Sequence, residues 1–175
     1  LSLPCRNLQK ELDMTLYVNK SDQEHEERVL KFLEKKWKCE SVRSLEKKAS
    51  FDGFLHRDGR PTALVEIRRL NCYSNSFPDA MISYTKIQNW QMLYPVLNLP
   101  CLFVVNWLDQ VRYANIEDII AHGDIRVSPI SKNRRNPESD REIVFYYPVK
   151  EFKLIAIDLE AEIMHDPKKV DKYDP

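Results

Sequence analysis

Between residues 22 and 37 the apolar positions Val29, Leu30, Leu33 and Trp37 recur at three- and four-residue spacing. That is the period of a helix with one buried face. Ser21, with Glu24 three residues on, has the makings of a capping box and sets the start. Lys35, Lys36 and Lys38 fall near the end, where cations complement the helix dipole. From about residue 48 the period shortens to two. Phe51, Gly53 and Leu55 alternate with Asp52, Phe54 and His56, which predicts a strand. Arg57-Asp58-Gly59-Arg60 is a hairpin turn, and Thr62 to Arg68 is the return strand. It is nearly all apolar before Glu66, which predicts a central place in a sheet.

Asn71 to Asp79 reads as a loop. Ser83 caps a second helix, about 84 to 94, stopped before Pro95. Leu102 to Val105 is a buried strand and Val111 to Ala114 a shorter one. Residues 116–121 make a helical turn, and 128–141 are a polar, basic loop. Ile143 to Pro148 and Phe152 to Ile155 form an edge hairpin, or a strand and a loop. The order helix, hairpin, helix, strand, strand predicts an α/β fold, with a central mixed sheet of about four to five strands flanked by helices.

With 175 residues, 43% of them hydrophobic, the chain suffices for one domain with its own core. We assign that domain to residues 16–160, with an N-terminal extension over 1–15 and a polar tail over 161–175. Met14 precedes a sensible opening at Thr15, which sets the first boundary. No apolar run approaches the roughly 20 residues that span a bilayer, and Leu1-Ser2-Leu3-Pro4 lacks the features of a secretory signal. The expectation is a soluble cytoplasmic protein with no membrane partner. Cys5, Cys39, Cys72 and Cys101 form no CxxC pair, which suits a reducing compartment and argues against structural zinc. Lysine plus arginine and aspartate plus glutamate each number 27, so bulk charge cannot coat nucleic acid. A local basic groove remains open. Lys132, Arg134 and Arg135 are candidate phosphate contacts, or else a solvated loop.

The candidate chemistry lies in the hairpin. Asp52 and Glu66 sit in apolar strands, where acids are rare unless paired or bound to a metal. Joined by one hairpin, they can meet. Such hard oxygen ligands suit Mg²⁺ or Mn²⁺, with the Ile67 carbonyl as a further ligand. Arg68, two residues past Glu66, shares its face and could contact a phosphate. Glu26 lies on the apolar stripe of the first helix and is its acid best placed to face the sheet. There is a geometric condition. With a regular ladder and a two-residue turn at Asp58-Gly59, Asp52 would pair with Val65, and Glu66 would face away. An odd-length loop or one bulge sets Asp52 opposite Glu66. Tyr73, Phe77 and Trp107 could stack on bases, or could pack against their own loops.

The runs Phe51-Asp52-Gly53, Val65-Glu66-Ile67-Arg68-Arg69, Ile82-Ser83-Tyr84-Thr85-Lys86-Ile87 and Leu102-Phe103-Val104-Val105-Asn106-Trp107 together resemble the PD-(D/E)XK nuclease-like proteins of phages and viral metagenomes. The resemblance covers roughly residues 22 to 115. It implies a restriction-endonuclease-like core and a Mg- or Mn-dependent deoxyribonuclease, working in the host cytoplasm if phage-encoded. It places Asp52 and Glu66 on the metal, Glu26 on it through a water, and Arg68 where that family usually has lysine. Lys86 could supply the displaced ammonium. The implied partners are DNA, a second copy of the chain, and viral replication or packaging proteins. Arginine in the lysine position leaves a second reading open: a degenerate nuclease fold that binds nucleic acid or a protein without cutting. A viral assembly protein with no nucleic-acid role is a third.

Overall fold

The structure is a computed structural model that describes residues 20–44, 50–128, 142–157 and 159. Helix α1, Lys20–Trp37, is followed by strand β1, Glu40–Arg43, and by the hairpin of β2, Gly53–Arg57, and β3, Arg60–Arg69. Strand β4, Asp79–Ser83, runs straight into α2, Tyr84–Leu97. Next come β5, Cys101–Asn106; β6, Gln110–Asn115; α3, Ile116–His122; and β7, Asp124–Val127. The chain continues with β8, Ile143–Pro148, a 3-10 turn at Val149–Glu151, and β9, Lys153–Ile157.

The result is a mixed α/β fold. Its central sheet has the order β1-β2-β3-β5-β6-β9, and a separate sheet has the order β4-β8-β7. In the central sheet only β3 and β5 run parallel. A parallel pair needs a crossover of a dozen residues or more, and β4 with α2 supplies it. The central sheet has six strands because the unpredicted β1 adds one edge and β9 the other. Strands β8 and β9 do not form the edge hairpin, one of the two arrangements expected, nor is the second segment a loop: each is a strand in a different sheet. Phe152 is buried between Phe103, Trp107 and Tyr147, and the 3-10 turn before it sends the chain from one sheet to the other.

Each face of the central sheet carries its own core. Val29, Leu30 and Leu33 of α1 pack on Leu55, Val65, Ile67 and Val104. On the opposite face Ile87 and Trp90 of α2 join Leu64, Ile82, Phe103 and Val105. Strand alternation therefore sends Leu64, Glu66 and Arg68 toward α2, and Val65 and Ile67 toward α1.

Two element ends differ from the expectation. Helix α1 begins at Lys20, so Ser21 lies inside its first turn rather than at the cap. Helix α2 passes through Pro95 and ends at Asn98, whose left-handed backbone (φ 50°) lets its N–H reach the Tyr94 carbonyl. Proline removes one bond, to the Gln91 carbonyl, and Gln91 is exposed, so water can replace the lost donor.

Candidate active site

The hairpin meets the geometric condition with a bulge. Its turn has two centre residues, Asp58 (φ 49°) and Gly59 (φ 72°), both at the positive φ that fits the twist of paired strands. Arg57 faces Arg60 and His56 faces Pro61, but Leu55 faces Ala63, so Thr62 is the extra residue. The Thr62 hydroxyl donates to the Leu55 carbonyl at 3.2 Å and fills the irregularity. Beyond the bulge Phe54 faces Leu64 and Gly53 faces Val65. Asp52 and Glu66 are the next facing positions, both on the α2 side.

Asp52 sits where β2 leaves the ladder. Its own N–H donates to the Val65 carbonyl at 3.1 Å, and its carbonyl accepts from the Ser44 N–H at 2.8 Å. Its carboxylate then takes over from the main chain. Oδ2 accepts from the Ile67 N–H at 2.6 Å, which orients the side chain along β3. Burial pushes the Asp52 carboxyl up, against the opposing pull of the Ile67 N–H and the Lys86 charge.

Glu66 is more deeply placed, its side chain 12% exposed. Lys86, in the first turn of α2, donates to Glu66 Oε2 at 2.9 Å. Burial, and then the charge of Asp52, push the Glu66 carboxyl up to about 7, although Lys86 pulls the other way. Burial is thus the larger cause, and the charges of Asp52 and Lys86 act on Glu66 in opposite directions. Lys86 is pushed up by Glu66, Asp52 and Glu26 together, despite its partial burial, and stays protonated.

Arg68 shares the face of Glu66, but its Nη1 reaches the Met81 carbonyl of β4 at 3.0 Å. The guanidinium thus ties the central sheet to the second sheet. Glu26 belongs to α1, whose apolar residues pack on the other face of the sheet. It lies 4.0 Å from Arg43 Nη1 and acts on Glu66 and Lys86 only as the last of the charges around them. Ile67 turns its side chain into the α1 core, while its peptide lies against the Asp52 carboxylate. Asp52, Glu66, Ile67 and Lys86 are thus together, with Arg68 beside them and Glu26 at longer range. Lys132, Arg134 and Arg135 lie outside the described residues.

Three features had no signal in the sequence pattern that we used. The Met81 carbonyl is a main-chain group and could not be singled out. Cys101 lies beneath the acids, its thiol pushed up by burial first and Glu66 second, so it stays a neutral floor. Asp109 accepts from the Ser74 N–H at 2.8 Å and from its hydroxyl at 2.7 Å, pinning the loop after β3 to the β5–β6 turn.

Among the described residues no group of three His, Cys, Asp or Glu side chains is drawn together as a metal cage. The arrangement still fits a hard divalent cation. Mg²⁺ keeps several waters and takes only one or two carboxylates beside substrate phosphates. Asp52 and Glu66 are two such carboxylates, both part-buried on one face, where a cation would offset the cost of their burial. No described helix is long and apolar enough to cross a membrane.

The sequence profile of a family described as "Phage putative PDDEXK endonuclease" matches residues 14–155. No curated protein matches the chain. Among solved structures the chain is similar to Hjc, a Holliday junction resolvase from Archaeoglobus fulgidus, at 9% identity and a TM-score of 0.44. That match covers 73% of this chain and 84% of the other.

Proposed function

The chain belongs to the phage PDDEXK endonuclease family, and from that premise we propose that it is a metal-dependent nuclease that hydrolyses phosphodiester bonds in DNA. One observation carries the reading: the bulged hairpin sets Asp52 and Glu66 on one face, with Lys86 on Glu66. Asp52, Glu66 and the Ile67 carbonyl would hold Mg²⁺ or Mn²⁺, and Glu26 would contribute through a water. Such a cation, when bound, supplies charge to the phosphate oxygens and makes water a better nucleophile at neutral pH.

The chain's own residues do the rest. The Ile67 N–H fixes the Asp52 carboxylate, so it needs no reorientation to meet a ligand. Glu66, its carboxyl pushed up to about 7, would bind a cation best in its ionised form, so binding would strengthen as pH rises through that value. Lys86 keeps its ammonium beside Glu66, where it can also face a phosphate oxygen. Arg68, held at the Met81 carbonyl, keeps its positive charge on the Glu66 face, where it would act on a phosphate. Neither cation is a base at neutral pH, so their part is charge stabilisation.

A second reading keeps DNA binding without turnover. It draws on Arg68, whose guanidinium is engaged with Met81 where the family usually has a lysine at the acids. The deciding experiment incubates labelled duplex, overhanging and branched DNA with Mg²⁺, Mn²⁺ or EDTA, with Asp52→Ala as control. Cleavage with either metal, absent in EDTA and in the variant, is the expected result. Binding without cleavage under every condition would select the second reading, and cleavage by Asp52→Ala would remove the assignment of Asp52.

A further inference from the structure

Three aromatic residues near the site were open to two interpretations, and the structure separates them. Trp107 is 5% exposed and packs edge-on against Phe152, so it belongs to the core. Tyr73 and Phe77 are 59% and 65% exposed. Both lie on the loop that leaves β3 just after Glu66, Arg68 and Arg69 and enters β4 just before Met81, the partner of Arg68.

Exposed aromatic rings on a slack loop would mean little, but this loop is fixed at three points. The Cys72 carbonyl accepts from the Leu108 N–H at 3.1 Å. Ser74, buried between the two rings in sequence, gives its N–H and hydroxyl to Asp109, and the Gln110 side-chain amide also contacts its hydroxyl. The Pro78 carbonyl accepts from the Val149 N–H at 2.9 Å. Within the loop the Ser76 N–H returns to the Tyr73 carbonyl at 3.0 Å, a tight turn that lifts the chain between the rings. Two large apolar rings are therefore held in water by a polar framework beneath them. Exposed apolar surface marks a binding site where it is contiguous, and two rings four positions apart on one anchored loop can supply such a surface.

The position indicates the occupant. Glu66 to Arg69 spans three residues of extended strand, about 10 Å, and the loop begins there. One DNA strand advances about 3.4 Å per stacked nucleotide, so a strand held at the acids comes to the start of the loop that carries the rings after about three nucleotides. Arg69 is exposed at the end of β3 but lies on the α1 side beside His25, so the cation on the acids' own face at this end of the strand is Arg68. Ring faces recognise bases only when the bases are free to stack, which a continuous duplex does not allow.

We propose that Tyr73 and Phe77 form a stacking platform for unpaired bases, so that this nuclease acts on DNA with a single-stranded or branched segment beside the cut. The inference rests on the nuclease reading above, and it is tested separately from it. The full chain is titrated in EDTA with four 2-aminopurine-labelled DNAs: a blunt duplex, 3′ and 5′ overhangs, and a four-way branch. The same preparations are assayed for cleavage with Mg²⁺ and Mn²⁺. The expected result is tighter binding wherever the probe base is unpaired, with its fluorescence quenched by stacking. Tyr73→Ala/Phe77→Ala should bind those DNAs roughly ten- to a hundredfold more weakly, with blunt-duplex binding unchanged. Tyr73→Trp/Phe77→Trp should restore the preference. Equal affinity for paired and unpaired probes, or an alanine pair that binds as the parent does, overturns the platform. So does an alanine pair whose only change is in self-association by sedimentation. Quenching that depends on the rings, in a protein that cleaves nothing, would support the platform while rejecting the nuclease.

Discussion

Replacing Glu66 by glutamine tests the central electrostatic argument, because glutamine imitates the protonated carboxyl in size and keeps an acceptor for Lys86. In the folded, metal-free protein the Glu66 carboxyl is held near pH 7, against an ordinary value of 4.5, by burial first and Asp52 second. The attraction of Lys86 is already contained in that value. The difference is about 2.5 units at about 1.4 kcal/mol each, or about 3 kcal/mol. Below pH 4.5 both folded and unfolded chains carry the proton, and the group's full stabilising contribution is present. Between 4.5 and 7 the unfolded chain loses the proton while the folded chain keeps it, so stability falls as pH rises. Above 7 the loss is complete. Glutamine has no proton to lose, so Glu66→Gln should match the parent near pH 4.5. It should exceed it by about 3 kcal/mol at pH 8.5 in EDTA. Urea unfolding at pH 5, 7 and 8.5 measures the difference. Adding Mg²⁺ or Mn²⁺ should then nearly close the gap at a hundredfold excess over Kd, where the parent alone gains about 2.7 kcal/mol, and reverse the order at a thousandfold excess, where it gains about 4.1 kcal/mol. A stability difference that does not change with pH would refute the claim that burial and Asp52 act on Glu66. A variant stabilised by metal as much as the parent would refute its role as ligand.

Asp52→Asn should lower cleavage at least about a thousandfold and, by weakening the bond to the Ile67 N–H, cost about 1–2 kcal/mol in urea unfolding; a rate within tenfold of the parent would contradict it. Lys86→Gln removes the ammonium that pulls Glu66 down, so the apparent pKa of metal binding should rise, read as pH-dependent Mn²⁺ affinity by calorimetry. An unchanged pH profile would contradict the 2.9 Å contact. Ser74→Ala should destabilise the fold by about 0.5–1.5 kcal/mol, since it removes one of the donors to Asp109, and equal urea midpoints would count against the loop anchor.

The acids were legible in the sequence because a charge inside an apolar run is costly, and Asp52 and Glu66 both stand in such runs. Their facing was not. It depends on Thr62 being extra, and nothing about a threonine in a strand announces a bulge. Two-residue spacing puts Arg68 on the Glu66 face, but an arginine side chain is long enough to pass the acid and reach β4. Lys86, which the family resemblance offers as the displaced ammonium, comes to Glu66 from another element, a contact that strand periodicity cannot express. Strands β1, β4 and β7 were missed for a common reason. Each has four or five residues: β1 and β7 bury none of theirs, and β4 carries its alternation of Ala80 and Ile82 in a run that merges with a helix start. Helix α1 and strands β3, β5 and β6 bury enough apolar side chain to imprint their period on the chain.

Gly53 follows the acid Asp52, and its place in the fold limits what the hairpin can become. A Cβ there would lie 2.7 Å from the Val42 carbonyl oxygen and 3.0 Å from Leu30 Cδ1. The leucine tip could yield, but the β1 backbone could not without unpairing from β2. Even alanine would thus press on the neighbour of Asp52, at a cost of about 1–3 kcal/mol, and would tilt the carboxylate off the Ile67 N–H. A mutational library of this chain should therefore tolerate as little at position 53 as at 52, although the glycine touches no reactant: the acid keeps its aim only because the residue beside it takes up no room.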